Sequence, residues 1–120
     1  METFFIVLFY LLVAHALCDF SLQTEPMAKG KNRNRPIDPA SIPPGQKPQA
    51  VWYHWLTAHA FIHGGAVGIV TGVWWLGVLE TIAHWTIDFF KCENKYGINT
   101  DQGLHLGCKL LWAVIAVWLI

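Results

Sequence analysis

The stretch His84-Trp85-Thr86-Ile87-Asp88 lies inside a long apolar run, Val73 to Phe90, and it constrains the fold more than any other feature of the chain. A run of that length and composition suits a membrane-spanning helix. Ionisable residues in such a helix are costly, and they mark functional sites. Four residues make about one helical turn, so His84 and Asp88 share one face. Two other stretches repeat the pairing: His15-Ala16-Leu17-Cys18-Asp19 and, in reverse order, Asp101-Gln102-Gly103-Leu104-His105.

Composition supports the membrane reading. Apolar residues make up 54% of the 120 residues and charged residues 13%, against a usual charged share of roughly 25%. The charges are clustered, which leaves long uncharged runs. The length fits one domain. A formal net charge of zero gives no support to a nucleic-acid partner. Cys18, Cys92 and Cys108 form no close CxxC pair, which gives no support to a zinc ribbon or a thioredoxin motif and favours reading them as small apolar residues in packed helices.

In chain order the sequence predicts an all-α integral membrane bundle of four transmembrane helices, at about residues 3–22, 50–70, 73–91 and 100–120. The first run competes with a cleavable leader, because Ala14-His15-Ala16 fits a small-x-small cleavage pattern. It begins with Glu2 and lacks the positive start of a leader, so it reads as a retained helix. Residues 24–49 form a basic, proline-rich loop with Lys29, Lys31, Arg33, Arg35 and Lys47, and Pro43-Pro44-Gly45 breaks any helix. It reads as a solvated segment, either a topology signal or a contact for anionic head groups. Trp52, Tyr53 and Trp55 open the second run as an interfacial aromatic belt. Gly64-Gly65, Gly68 and Gly72 suit close helix contact or a tight turn. Asn99 or Thr100 can cap the fourth helix, with Asp101 in its first turn.

Seven of the eight Lys and Arg residues fall on the two odd loops: the five above, with Lys91 and Lys95. The positive-inside rule makes that side cytoplasmic and puts both termini outside, as for a multi-pass membrane protein. Depth follows from about 1.5 Å per residue, which places His15, His59, His84 and His105 in one layer roughly 8 to 12 Å from the cytoplasmic ends. Asp19, Asp88 and Asp101 fall nearer the cytosol. The reversed order on the fourth helix matches its reversed direction.

Imidazoles beside carboxylates are a mixed nitrogen and oxygen donor set. They suit a divalent transition metal, Zn first and Mn or Fe next, rather than Ca. The predicted ligand pool is His15, Asp19, His59, His84, Asp88, Asp101 and His105, with the competing reading of a buried polar network that holds helices together. A deeper set, Glu80, His63 and Lys109, lies roughly 12 to 18 Å down by the same count. Glu80 and Lys109 read as an ion pair; Glu80 and Asp88 are the candidates for general-base work.

These residues carry a resemblance. The chain resembles the bacterial and phage membrane family called domain of unknown function 3307, through residues 14–23, through His59 with Ile62 and His63, through His84 with Ile87-Asp88 and Lys91, and through Asp101-Gln102 with His105. The basic proline-rich loop is longer than the linker the resemblance leads one to expect. The resemblance implies a four-helix membrane protein with these site positions, and no activity. Three functions remain. The first is a metal-dependent hydrolase of a lipid or lipid-linked substrate at the cytoplasmic face, with no GxSxG nucleophile. The second is a non-catalytic phage or bacterial membrane interaction protein. The third is a small ion or proton transporter, for which a homo-oligomer would supply the room that four helices lack.

Overall fold

The computed structural model describes residues 1–119 and is all-helical, with no strand among them. Helix α1 (Glu2–Ala16) continues into a π-helical turn, Leu17–Ser21. Helix α2 (Glu25–Gly30) is short. It begins where the Thr24 side chain accepts a hydrogen bond from the Met27 amide at 3.3 Å, with Pro26 in its first turn. Helices α3 (Trp52–Thr71), α4 (Trp74–Cys92) and α5 (Ile98–Leu119) complete the chain. The long helices match the four predicted runs to within a few residues; Ile120, expected at the end of the last, lies outside the described residues.

The four long helices close a ring. Helix α1 packs on α3 and α5, and α4 packs on α3 and α5. The tightest pair is the α3–α4 hairpin. Gly72 adopts φ +70°, a left-handed conformation that ends α3. Gly64 and Gly77 then bring the two backbones together: a Cβ on Gly64 would lie 2.5 Å from the Gly77 carbonyl oxygen, and one on Gly77 would lie 2.5 Å from the Gly64 carbonyl oxygen. Only the absence of side chains permits that approach.

An apolar core of Val7, Leu11, Val67, Leu76, Trp112, Ala113 and Ala116 fills the half of the bundle away from the charged loops. The other half is filled with polar residues: five histidines, Glu80, Asp88, Asp101 and Lys109 are buried. Large apolar side chains cover the outside instead, including Phe61 (63% exposed), Ile69 (84%) and Trp118 (86%).

Two segments, Glu2–Ser21 and Ile98–Leu119, are long and apolar enough to cross a membrane by length and composition. Four were expected. Helices α3 and α4 have the length, but His54, His59 and His63 on α3, and Glu80, His84, Asp88 and Lys91 on α4, lower their apolar content.

The basic loop is more ordered than its composition suggests. Besides α2 it holds a 3-10 turn, Pro39–Ser41, capped by Asp38. Arg33 bonds Glu93, and the Asn34 side chain donates to the Cys92 carbonyl at 2.9 Å, which ties the loop to the end of α4. The Arg33 hydrogen bond holds the Glu93 carboxyl below the usual carboxylate range. A Cβ on Gly30 would meet the Trp55 indole at 2.5 Å, so α2 ends pressed against α3 with Lys31 turned inward.

Candidate metal centre

Each long helix contributes its polar residues at spacing four: His15 and Asp19; His59 and His63; Glu80, His84 and Asp88; Asp101, His105 and Lys109. Spacing four makes one stripe per helix, and ring closure turns the four stripes toward one another. Asp19 sits on the π-helical turn, a local widening often found at functional sites.

The two carboxylates Asp19 and Asp88 are the hubs. Asp19 Oδ1 lies 3.0 Å from His63 Nε2, 3.3 Å from His59 Nε2 and 3.9 Å from His84 Nε2. Its Oδ2 accepts from Gln102 Nε2 at 2.8 Å and lies 3.6 Å from His15 Nε2. Asp88 Oδ2 faces the same pair of rings from the other side, 3.4 Å from His59 Nε2 and 3.8 Å from His84 Nε2. Asp88 Oδ1 lies 3.2 Å from His105 Nε2. The rings of His63, His84 and His105 form a stack, with centroids 3.6 Å and then 4.1 Å apart.

Two groups have donor atoms mutually within 4.8 Å: Asp19, His59, His63 and His84, and His84, Asp88 and His105. They share His84. Behind it, Glu80 Oε1 accepts from His84 Nδ1 at 3.3 Å and from Lys109 Nζ at 2.5 Å, while Oε2 accepts from Trp112 Nε1 at 2.6 Å. A carboxylate on Nδ1 fixes the tautomer that leaves Nε2 bare, which is the usual support of a ligating histidine. The Nε2 atoms of His59 and His84 are buried and have no hydrogen-bond partner, although each faces both hub carboxylates. Leaving a buried polar atom unsatisfied costs about 1–3 kcal/mol. A cation between Asp19 and Asp88 would satisfy both Nε2 atoms, so the residues present fit a divalent metal; His84 Nδ1 has its carboxylate, whereas His59 Nδ1 has no partner.

The structure thus brings together five of the predicted ligands, Asp19, His59, His84, Asp88 and His105. His15 and Asp101 stand at the edge: His15 Nε2 bonds Gln102 Oε1 at 3.0 Å, and Asp101 Oδ1 lies 3.5 Å from His105 Nε2. His63 was expected in a deeper layer but belongs to the cluster. Side chains lean toward the N-terminus of their helix, and α3 and α4 run in opposite directions, so the His63 ring leans toward the charged loops while the His84 ring leans away, and the two meet in a stack with centroids 3.6 Å apart. Glu80 and Lys109 pair as expected.

Sequence reasoning missed Lys31. Its Nζ lies 2.5 Å from Asp88 Oδ2, and the residue is 6% exposed. The start of α2 at Thr24-Glu25-Pro26 and its stop at Gly30 were the available signals that Lys31 follows an ordered turn. Beside Lys31 a cleft of ≈ 70 Å³, lined by Asp19, Asp88, Asp101, Gln102 and Lys91, reaches the cluster from the side of the charged loops.

Fold and site together define a helical bundle with a buried histidine–carboxylate centre. Over residues 7–42 the chain resembles the family described as Protein of unknown function (DUF3307). The match takes in His15, Asp19 and Lys31, and it includes the basic loop as far as Ile42, the segment expected to depart from the family. It ends before the blocks around His59, His84 and His105. No curated protein and no solved structure matches the chain.

Proposed function

We propose that the chain is a membrane-embedded metal-binding protein, a metal-dependent hydrolase that takes a lipid or lipid-linked ester or phosphoester at the cytoplasmic face of a bacterial inner membrane. The observation that carries the metal reading is the pair of unsatisfied, buried Nε2 atoms on His59 and His84, aimed at Asp19 and Asp88. The apolar exterior and polar interior support a four-span bundle. In that arrangement α3 and α4 cross the membrane with their polar stripes turned inward, although their average composition understates it.

Asp19, His59, His63 and His84 would hold the cation, with Asp88 and His105 alongside, and Glu80 orients His84. Zn is the first candidate, with Mn or Fe next, and when bound the ion supplies Lewis acidity at the site. Asp88 lines the cleft, with Oδ2 bonded to Lys31 and Oδ1 3.2 Å from His105 Nε2, and would take a proton from water there. The water oxygen then bonds to the ester carbon or phosphorus, the bond to the leaving oxygen breaks, and the proton passes to that oxygen. Glu80 does not line the cleft, which favours Asp88 over Glu80 as the base.

One observation favours a second reading, a non-catalytic membrane protein with a polar core. Lys31 already gives Asp88 a cation, and Lys109 gives one to Glu80. Elemental analysis separates the two. The full chain, purified in mild detergent from cells supplied with Zn, Mn and Fe, is expected to carry stoichiometric metal. His84→Ala should lose it and Cys18→Ala should keep it. A metal-free parent removes the hydrolase reading and leaves the polar core.

A further inference from the structure

A second and larger hollow, ≈ 390 Å³ and open to solvent, lies between α2 and the end of α4, with Lys29, Arg35 and Asn94 exposed along it. Its wall carries four cations, Lys29, Lys31, Arg35 and Lys91, the amides of Asn32 and Asn94, and one carboxylate, Glu25. Glu25 is spent on Lys29, with which it forms an ion pair. Arg35 and Lys91 have no ion-pair partner among the described residues, whose Lys and Arg pairs are made by Lys29, Lys31, Arg33 and Lys109. Uncompensated cations around one space repel one another until an anion enters.

Lys31 lines both the cleft and this hollow, and so does Lys91. An ammonium has three N–H donors, and Lys31 uses one of them, on Asp88 Oδ2. The side chain is nevertheless buried. Its remaining donors are therefore available to an acceptor that reaches it.

We infer that this hollow is a subsite for the phosphate group of the substrate, held by Lys31, Arg35 and Lys91 with Asn32 and Asn94, so that the rest of the molecule enters the cleft beside Asp19 and Asp88. A phosphate offers several acceptor oxygens and up to two charges to this ring of donors, where a carboxylate offers two oxygens and one charge. Arg35 suits it with a planar fork, and the lysines as point charges. The assignment rests on the hydrolase reading for its chemistry but not for its geometry. The substrate class becomes a phosphate-bearing amphiphile. Phe20 and Ile98, which line the cleft and are exposed, are positioned to meet its apolar part.

Isothermal titration of the full chain in a neutral detergent tests this. The probes are dihexanoyl phosphatidic acid, dihexanoyl glycerol and inorganic phosphate, and metal content is measured on every sample. Phosphatidic acid should bind and the uncharged diacylglycerol should not. Arg35→Gln with Lys91→Gln should weaken binding by about tenfold or more, the loss expected for charge-assisted hydrogen bonds. Lys47→Gln, which does not line the hollow, should leave it unchanged. Inorganic phosphate binding as tightly as the lipid would assign the same subsite to a soluble phosphate. Absence of binding by both phosphates overturns the proposal, as does an equal loss in Lys47→Gln, which would mean diffuse charge. His84→Ala that loses metal but keeps the phosphatidic acid affinity separates the subsite from the metal reading. A metal-free parent that still binds the lipid would do the same.

Discussion

Adding one methyl group at Gly64 should damage the site although Gly64 touches no ligand. A Cβ there would lie 1.9 Å from Thr81 Oγ1 and 2.5 Å from the Gly77 carbonyl oxygen. Thr81 can rotate, at the cost of its 2.9 Å hydrogen bond to the same carbonyl. The carbonyl itself is helix backbone and cannot. Restoring an ordinary contact of 3.4 Å requires α3 and α4 to part by 3.4 − 2.5, or about 0.9 Å. Gly65 is the control, because its Cβ would meet nothing within 4 Å. Both changes gain the same helix propensity, roughly 1 kcal/mol. Their difference is therefore the overlap alone, about 1–3 kcal/mol. Denaturant or thermal unfolding in detergent, followed by tryptophan fluorescence, measures it. Gly64→Ala should be the less stable by that amount. Its metal content should fall as well, because His59 and His63 on α3 move relative to His84 and Asp88 on α4. Equal stability in the two variants would refute the close α3–α4 contact on which the site geometry depends.

Two further outcomes are expected. Lys109→Met alone leaves Glu80 buried without its cation and should cost about 3–5 kcal/mol, whereas pairing it with Glu80→Gln should recover much of the loss in the same unfolding assay. A reporter enzyme fused to the C-terminus should be active only outside the cytoplasm, since seven of the eight basic residues lie on the two odd loops; cytoplasmic activity would reverse the orientation.

Much of the site could be read from the sequence, because charged residues are few and helix periodicity is strict. His84 and Asp88, with Asp19 and His105, share a centre because their helices form a ring, while His15 and Asp101 fall at its edge. The Glu80–Lys109 pair followed from the same reasoning. His63 was misplaced because counting residues gives the level of the Cα and ignores how far an imidazole leans back along its helix. Lys31 was hidden by its neighbours: in a proline-rich basic segment nothing but the short Thr24-to-Gly30 pattern marks one lysine as buried. Gln102, which bonds both His15 and Asp19, stood out only through the family resemblance. The π-helical turn at Leu17–Ser21 has no sequence signature comparable to a cap or a proline. Apolar content separates α1 and α5 from α3 and α4 because the latter pair supplies most of the buried donors, and a composition average cannot see which way a side chain points.

The central question is whether a metal ion is held by histidine and aspartate between the helices. X-ray absorption at the metal edge of the purified full chain tests that directly. A histidine–aspartate centre gives nitrogen and oxygen neighbours at about 2.0–2.2 Å with a marked imidazole contribution and no sulfur, and loses the imidazole signal in His84→Ala. A sulfur neighbour at about 2.3 Å would place any metal on Cys18, Cys92 or Cys108 instead, and would contradict the centre described here.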